Sequence, residues 1–179
     1  MNASKKILST ILSVAALVLL KQPLFSNVGF FGIAEALLYY GDGGAVHVLF
    51  SGSAASDHVY AVYGAGWLLI LRAVMAIMIV LQIFSIVSSW RKGSRGMVCL
   101  AGLSAFALGA ISVLLAYTSN NTFALFEGGR YNGFFYEKPG AAAIGFLIVG
   151  FLQLILPFTA KKKGEDPKDV FDVINKGSK

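Results

Sequence analysis

Cysteine occurs once in the 179 residues, at Cys99. No intramolecular disulfide can form, so any segment outside the core must be held by packing alone. Charge is scarce as well. Asp, Glu, Lys and Arg make up 13% of the chain, about half of the ~25% usual in a water-soluble domain. Catalytic arrangements are also missing: no nucleophile stands beside a base, no carboxylate pair lies in an apolar run, and no phosphate loop occurs. The chain is therefore expected to be no enzyme and to need no cofactor. What it has in abundance is apolar sequence, with 56% hydrophobic residues and a mean hydropathy of +0.71. A bilayer, rather than a soluble core, is the natural place to bury such a chain.

The apolar residues gather in four stretches, at about 4–24, 66–90, 96–117 and 139–160. Each extends to roughly 20 residues, the length that crosses a ~30 Å hydrocarbon core. The basic residues sort around them. Lys5 and Lys6 precede the first stretch, Arg91, Lys92 and Arg95 fill the hinge between the second and third, and Lys161, Lys162 and Lys163 follow the fourth. The other two connections hold only Lys21, Arg130 and Lys138. The positive-inside rule then places both termini in the cytoplasm, with the protein in the plasma (cytoplasmic) membrane. The net charge of +6 belongs to this pattern and to anionic lipid, at roughly 1 kcal/mol per basic residue; nucleic acid is not an expected partner.

The expected fold is an all-α membrane protein, an antiparallel four-helix bundle over residues 1–160, with a small outer cap and a basic cytoplasmic tail at 161–179. A signal peptide competes for the first stretch, since Lys5-Lys6 followed by Ile7 to Leu20 has the right start. Lys21-Gln22-Pro23 stands where a small-residue cleavage site belongs, which favours an uncleaved anchor.

The first outer connection, Gln22 to Ala65, is unusually apolar. Residues 28–40 suit a short interfacial helix with Glu35 on its wet side, and Gly41-Asp42-Gly43-Gly44 reads as a turn. Ala45 to Phe50 and His58 to Tyr63 read as two short strands, which together make a small β-hairpin on the helix ends. The second outer connection carries Phe123, Phe126, Tyr131, Phe134, Phe135 and Tyr136. Trp67 and Trp90 fall at opposite interfaces, as an aromatic belt requires. In the tail, Val170, Phe171, Val173 and Ile174 suit one apolar stripe.

Several residues stand out against this background. Ala101, Ala105 and Gly109 recur every four residues in the third stretch, with Gly102, Ser104 and Ser112 beside them. Gly145 and Gly150 follow in the fourth. Small residues let helix backbones approach closely, so these read as bundle packing. Gln82 and Gln153 are amides in mid-stretch and read as a hydrogen-bonded pair. Arg72 is the one charge well inside a stretch, where ionisable groups are rare and are normally paired. Glu137, Glu35 and Asp57 are its candidate partners. The arrangement reads either as a latch between the second helix and the cap or as an ion site at the outer mouth. His47 and His58, the only histidines, have no Cys beside them, so no metal site is expected. Asn120-Asn121-Thr122 fits a glycosylation acceptor.

Some of these strings resemble the claudin superfamily of tetraspan proteins. Leu71-Arg72-Ala73-Val74-Met75 is similar to the start of the claudin second helix, and the third stretch, with Gly102 and Gly109 after Arg95, is similar to its glycine-bearing third. Tyr136-Glu137-Lys138-Pro139-Gly140-Ala141-Ala142 is similar to the opening of its fourth. The Trp and Cys signature of the claudin first outer loop has no counterpart before Trp67. The resemblance implies four spans with both ends inside and an adhesion, barrier or channel-accessory role. The function expected is a non-enzymatic interaction or accessory subunit, or a self-associating claudin-like protein. Its partners would be membrane lipids and other membrane subunits or itself. Phe30, Phe31, Phe126, Phe134, Phe135 and Tyr136 would form the contact surface, since apolar surface outside the bilayer marks contacts. An oligomeric channel or transporter for a small ion or solute is the alternative.

Overall fold

The computed structural model describes residues 3–29, 44–91, 95–126 and 135–159. They are mostly helical. In chain order they form α1 (Ala3–Leu19), β1 (Phe25–Gly29), a 3-10 helix (Ala45–Leu49), α2 (Ala54–Tyr63), α3 (Ala65–Ser89), α4 (Arg95–Phe126), β2 (Phe135–Pro139) and α5 (Ala141–Ile155).

The helices that carry the apolar stretches are patterned inside out. On α1, Ser9, Leu12, Ser13 and Ala16 are buried at helical spacing, while Ile7, Ile11, Val14 and Val18 face outward. On α5 the buried set includes Ala142, Ala143, Gly150 and Gln153, and the outward set Ile144, Ile148, Phe151 and Ile155. On these two helices small and polar residues share the inner face with Leu12, Phe146 and Val149, while large aliphatics cover the outer face, unlike the polar outer face of a helix on a water-soluble core. α1 packs on α3 and α5, and α4 packs on the same two, so the four helices close a ring. Leu71, Met75, Met78, Leu108 and Phe146 fill part of its interior with no exposure.

Two helical stretches, Ala65–Ser89 and Arg95–Thr118, are long and apolar enough to cross a membrane. α1, with 17 residues, and α5, with 15, are shorter than a span, which takes about 20.

The cap differs from the hairpin read from the sequence. Residues 45–49 are a 3-10 helix and 54–63 are α2, not strands. Two local signals account for this. Ser53 caps α2, its hydroxyl accepting from the Ser56 amide at 3.1 Å, which satisfies a donor that a helix start leaves open. The buried residues also repeat as Ala55 and Val59, four apart, and as Ala45 and Val48, three apart; a strand would bury every second residue. Gly64, at φ +86°, ends α2 and starts α3, a left-handed position where glycine meets no steric penalty.

The sheet comes from elsewhere. β1 follows α1 directly, β2 precedes α5, and the two pair antiparallel from Phe25 opposite Pro139 to Gly29 opposite Phe135. The Gly140 amide donates to the Leu24 carbonyl at 2.9 Å and the Ala142 amide to the Pro23 carbonyl at 3.0 Å. A side chain at Gly140 would collide with the Pro23 carbonyl. The 3-10 helix is joined to the same corner by Ala45 and Val46, whose amides donate to Gln22 and Leu20. Phe25, Val48 and Val59 are buried here in one core with the ring interior, and the Phe25 ring lies 5.2 Å from that of Tyr63.

Candidate functional site

A chain of polar side chains runs through the interior of the ring. Ser9 and Ser13 on α1 and Ser85 and Ser89 on α3 are each four residues apart, so each pair lies on one helix face. The helices run antiparallel and the serines meet in two rungs, Ser9 with Ser89 at 2.9 Å and Ser13 with Ser85 at 3.2 Å. Above the rungs sit the two glutamines. Gln82 Nε2 donates to Gln153 Oε1 at 3.0 Å, and Gln153 Nε2 donates back to Gln82 Oε1 at 2.8 Å. The second N–H of each amide is used as well. Gln82 donates to the Ala101 carbonyl at 3.1 Å and Gln153 to Ser13 Oγ at 3.0 Å. All six side chains have no solvent exposure.

An amide group has two N–H donors, so every donor of both glutamines ends on a protein acceptor. The network joins α1, α3, α4 and α5 and closes on itself. Buried polar groups of this kind are costly unless satisfied, and here every amide donor is satisfied. The amide pair was legible from two isolated glutamines in apolar runs. The serine rungs were not singled out, although their signal, serines four apart on two facing apolar helices, is present in the sequence.

The small residues lie at the helix contacts. Ala101 and Ala105 are fully buried on α4. A Cβ at Gly102 would fall 2.9 Å from the Gly150 carbonyl oxygen, and one at Gly109 would fall 2.7 Å from that of Ala143. One at Gly150 would meet the Phe106 amide nitrogen in return. α4 and α5 therefore touch backbone to backbone. Gly145 faces α1, where an added Cβ would reach the Leu19 side chain at 2.6 Å.

Arg72 lies on α3 beneath the cap, half-buried. Its Nε donates to the Val48 carbonyl at 2.9 Å, and its Nη2 donates to Ser56 Oγ at 2.8 Å and to Ser51 Oγ at 3.3 Å. The guanidinium thus ties α3 to the 3-10 helix and α2, and among the described residues its partners are all neutral. Of the carboxylates considered for it, Asp57 is exposed on α2, Glu137 stands in β2 opposite Asn27, and Glu35 lies outside the described residues. Phe30, Phe31 and Phe134 of the expected contact surface lie outside them too. Phe126 is the last residue of α4, and Phe135 and Tyr136 belong to β2. His47 is in the 3-10 helix and His58 in α2; among the described residues no cluster of three metal-ligating side chains occurs.

Four of the seven described basic residues lie at the end of the ring opposite the cap, the others, Lys21, Arg72 and Lys138, being at or beneath the cap. The Ser9–Ser89 contact brings the start of α1 to the end of α3, and Lys5 donates to the Thr159 carbonyl just beyond α5. Lys5, Lys6, Arg91 and Arg95 therefore share one end. Compared with protein-family models, curated proteins and solved structures, the chain matches none of them.

Proposed function

We propose that this is a non-enzymatic membrane protein with four spanning helices, α1, α3, α4 and α5, acting as an interaction or accessory subunit or by self-association. The observation that carries this reading is the closed glutamine–serine network. Every glutamine N–H in the interior is used by the protein itself, which leaves no amide donor there to offer a passing solute or a substrate. Recognition then falls to the outside of the molecule. Support for the bilayer comes from the outward Ile, Val, Leu and Phe side chains on all four helices. Only 28% of the apolar window of Ala65–Ser89 is covered by the rest of the protein, and 50% of that of Arg95–Thr118. Core helices of a water-soluble domain are covered far more fully.

In this reading the short α1 and α5 are extended by flanking residues, with Lys21 snorkelling outward. The basic end faces the cytoplasm and the cap faces out. The contact surface in this reading is the set expected from the sequence, Phe30, Phe31, Phe126, Phe134, Phe135 and Tyr136. In this reading a channel or transporter would need a path between subunits.

The test is extraction from native membranes in a mild detergent, followed by mass determination and mass spectrometry of associated chains. A stoichiometric partner or a defined homo-oligomer is expected, weakened by Phe135→Ala with Tyr136→Ala. A monomer without associated chains would sink the proposal.

A further inference from the structure

The Arg72 tie leaves two groups with chemistry to spare. The first is the charge itself: a half-buried guanidinium whose acceptors among the described residues are a carbonyl and two hydroxyls carries a full positive charge, and partly buried charges are normally compensated. The second is the hydroxyl proton of Ser56. Its oxygen accepts from Arg72 at 2.8 Å, its side chain is 2% exposed, and among the described residues its own O–H has no acceptor. Buried hydroxyls without an acceptor are rare in native proteins and point to a water or ion. Ser51, exposed at the rim, also accepts from the same Nη2. A hydroxyl oxygen that accepts from a guanidinium turns its own proton away from that cation. Two hydroxyls and one permanent cation in mutual contact form a donor set suited to an oxyanion, with Ser51 and Arg72 at its accessible edge and Ser56 buried behind them.

Depth indicates where that anion comes from. Arg72 and Arg91 are 19 positions apart on and just beyond α3. At 1.5 Å per residue this is about 28 Å along the helix, close to the ~30 Å of a hydrocarbon core. With Arg91 among the inner headgroups, Arg72 reaches the outer ones.

We propose that Arg72, Ser51 and Ser56 form a binding site for a phosphate-type anion, the headgroup phosphate of an outer-leaflet lipid. The cation supplies the attraction, the two hydroxyls supply the orientation, and the cap is held to α3 through the same atoms. The anion chemistry stands on the Arg72 geometry alone; the assignment to a lipid rests on the membrane placement proposed above.

The experiment uses the full chain, delipidated in a maltoside detergent, with three probes: phosphatidylglycerol, a diacylglycerol with the same tails, and inorganic phosphate. Native mass spectrometry should show retained phosphatidylglycerol and no retained diacylglycerol. Occupancy should fall about tenfold in the Ser51→Ala, Ser56→Ala double variant, the loss expected when hydrogen bonds to a charged group are removed. Arg72→Gln should abolish retention; if that variant does not fold, the serine variant decides. A rise in melting midpoint with inorganic phosphate but no lipid retention would keep the anion site and overturn its lipid assignment. Equal retention by wild type and the serine variant, equal retention of diacylglycerol, or no response to any probe would overturn the site. A chain that stays in solution without detergent would overturn the membrane placement, leaving the phosphate arm to judge the site separately.

Discussion

Removing one glutamine of the Gln82–Gln153 pair leaves the other with a buried N–H and a buried carbonyl oxygen that nothing else reaches. Gln82→Ala or Gln153→Ala should therefore cost about 1–3 kcal/mol, the penalty of an orphaned polar group and a small cavity. The double variant Gln82→Leu, Gln153→Leu should cost much less than the sum, because the remaining members keep partners. The Ala101 carbonyl still accepts from Ser104 Oγ at 2.9 Å, and Ser13 Oγ still donates to Ser85. Urea unfolding of the single and double variants in detergent would read this coupling as a double-mutant cycle. Additive losses would show that the two amides act independently. Arg72 follows the same rule. Arg72→Met should release the 3-10 helix and α2 from α3 while leaving the interior network intact. Proteolysis within 45–63 should accelerate while helicity, read by circular dichroism, stays near wild type. Arg72 was recognisable in the sequence as a lone charge needing partners, but its partners were not. The expectation was a carboxylate. Serine hydroxyls and a backbone carbonyl serve instead, and they carry no signal that distinguishes them from any other serine or carbonyl.

Among the elements, the contact between α4 and α5 depends most on individual residues. Gly150→Ala would place a methyl group against the Phe106 amide nitrogen and the Gly102 carbonyl, both backbone atoms of one helix, which cannot rotate away. The helices must separate along the contact, at about 1–3 kcal/mol. Gly66 and Gly96 are the internal controls. Each lies in the first turn of its helix with nothing within 4 Å of an added Cβ, so alanine there should be neutral or stabilising by about 0.4–1 kcal/mol. Thermal melting of the three variants in one detergent would check the order, and a loss at Gly96→Ala equal to that at Gly150→Ala would contradict it. The same elements show what could be read in advance. The four apolar helices were legible because their runs of Leu, Ile, Val and Ala are long and bounded by charge or turn residues. α4 continues to Phe126, past the expected 117, because Tyr117 to Phe126 holds no proline or glycine to stop it. The cap was misread for a different reason. Over six residues, valines and a histidine alternate as well in a helix as in a strand, and only the Ser53 cap and the Ala55–Val59 spacing separate the two. The β1–β2 pair could not be read at all. Its strands are more than 100 residues apart in the chain, and each is five residues long, too short to announce a partner.

At the scale of the whole molecule the two ends differ in kind. One carries Lys5, Lys6, Arg91 and Arg95; the other carries the 3-10 helix, α2 and the sheet, with Phe50 and Tyr60 exposed. A bilayer around the ring would separate these ends by its own thickness, and the energy of moving basic residues across it fixes the orientation. Single cysteines test this directly, in a Cys99→Ser background so that no native thiol remains. Asp57→Cys on α2 should react with a membrane-impermeant maleimide in sealed right-side-out vesicles. Arg95→Cys at the start of α4 should react only after the vesicles are permeabilised. Both sites are exposed on the protein, so any protection must come from the membrane and not from packing. The reverse pattern would keep the bilayer and invert the orientation, placing the Arg72 site among inner headgroups. Reaction at both positions in sealed vesicles would mean that the ring does not span, and the outward Ile, Val and Leu faces would then have to be covered by other protein subunits.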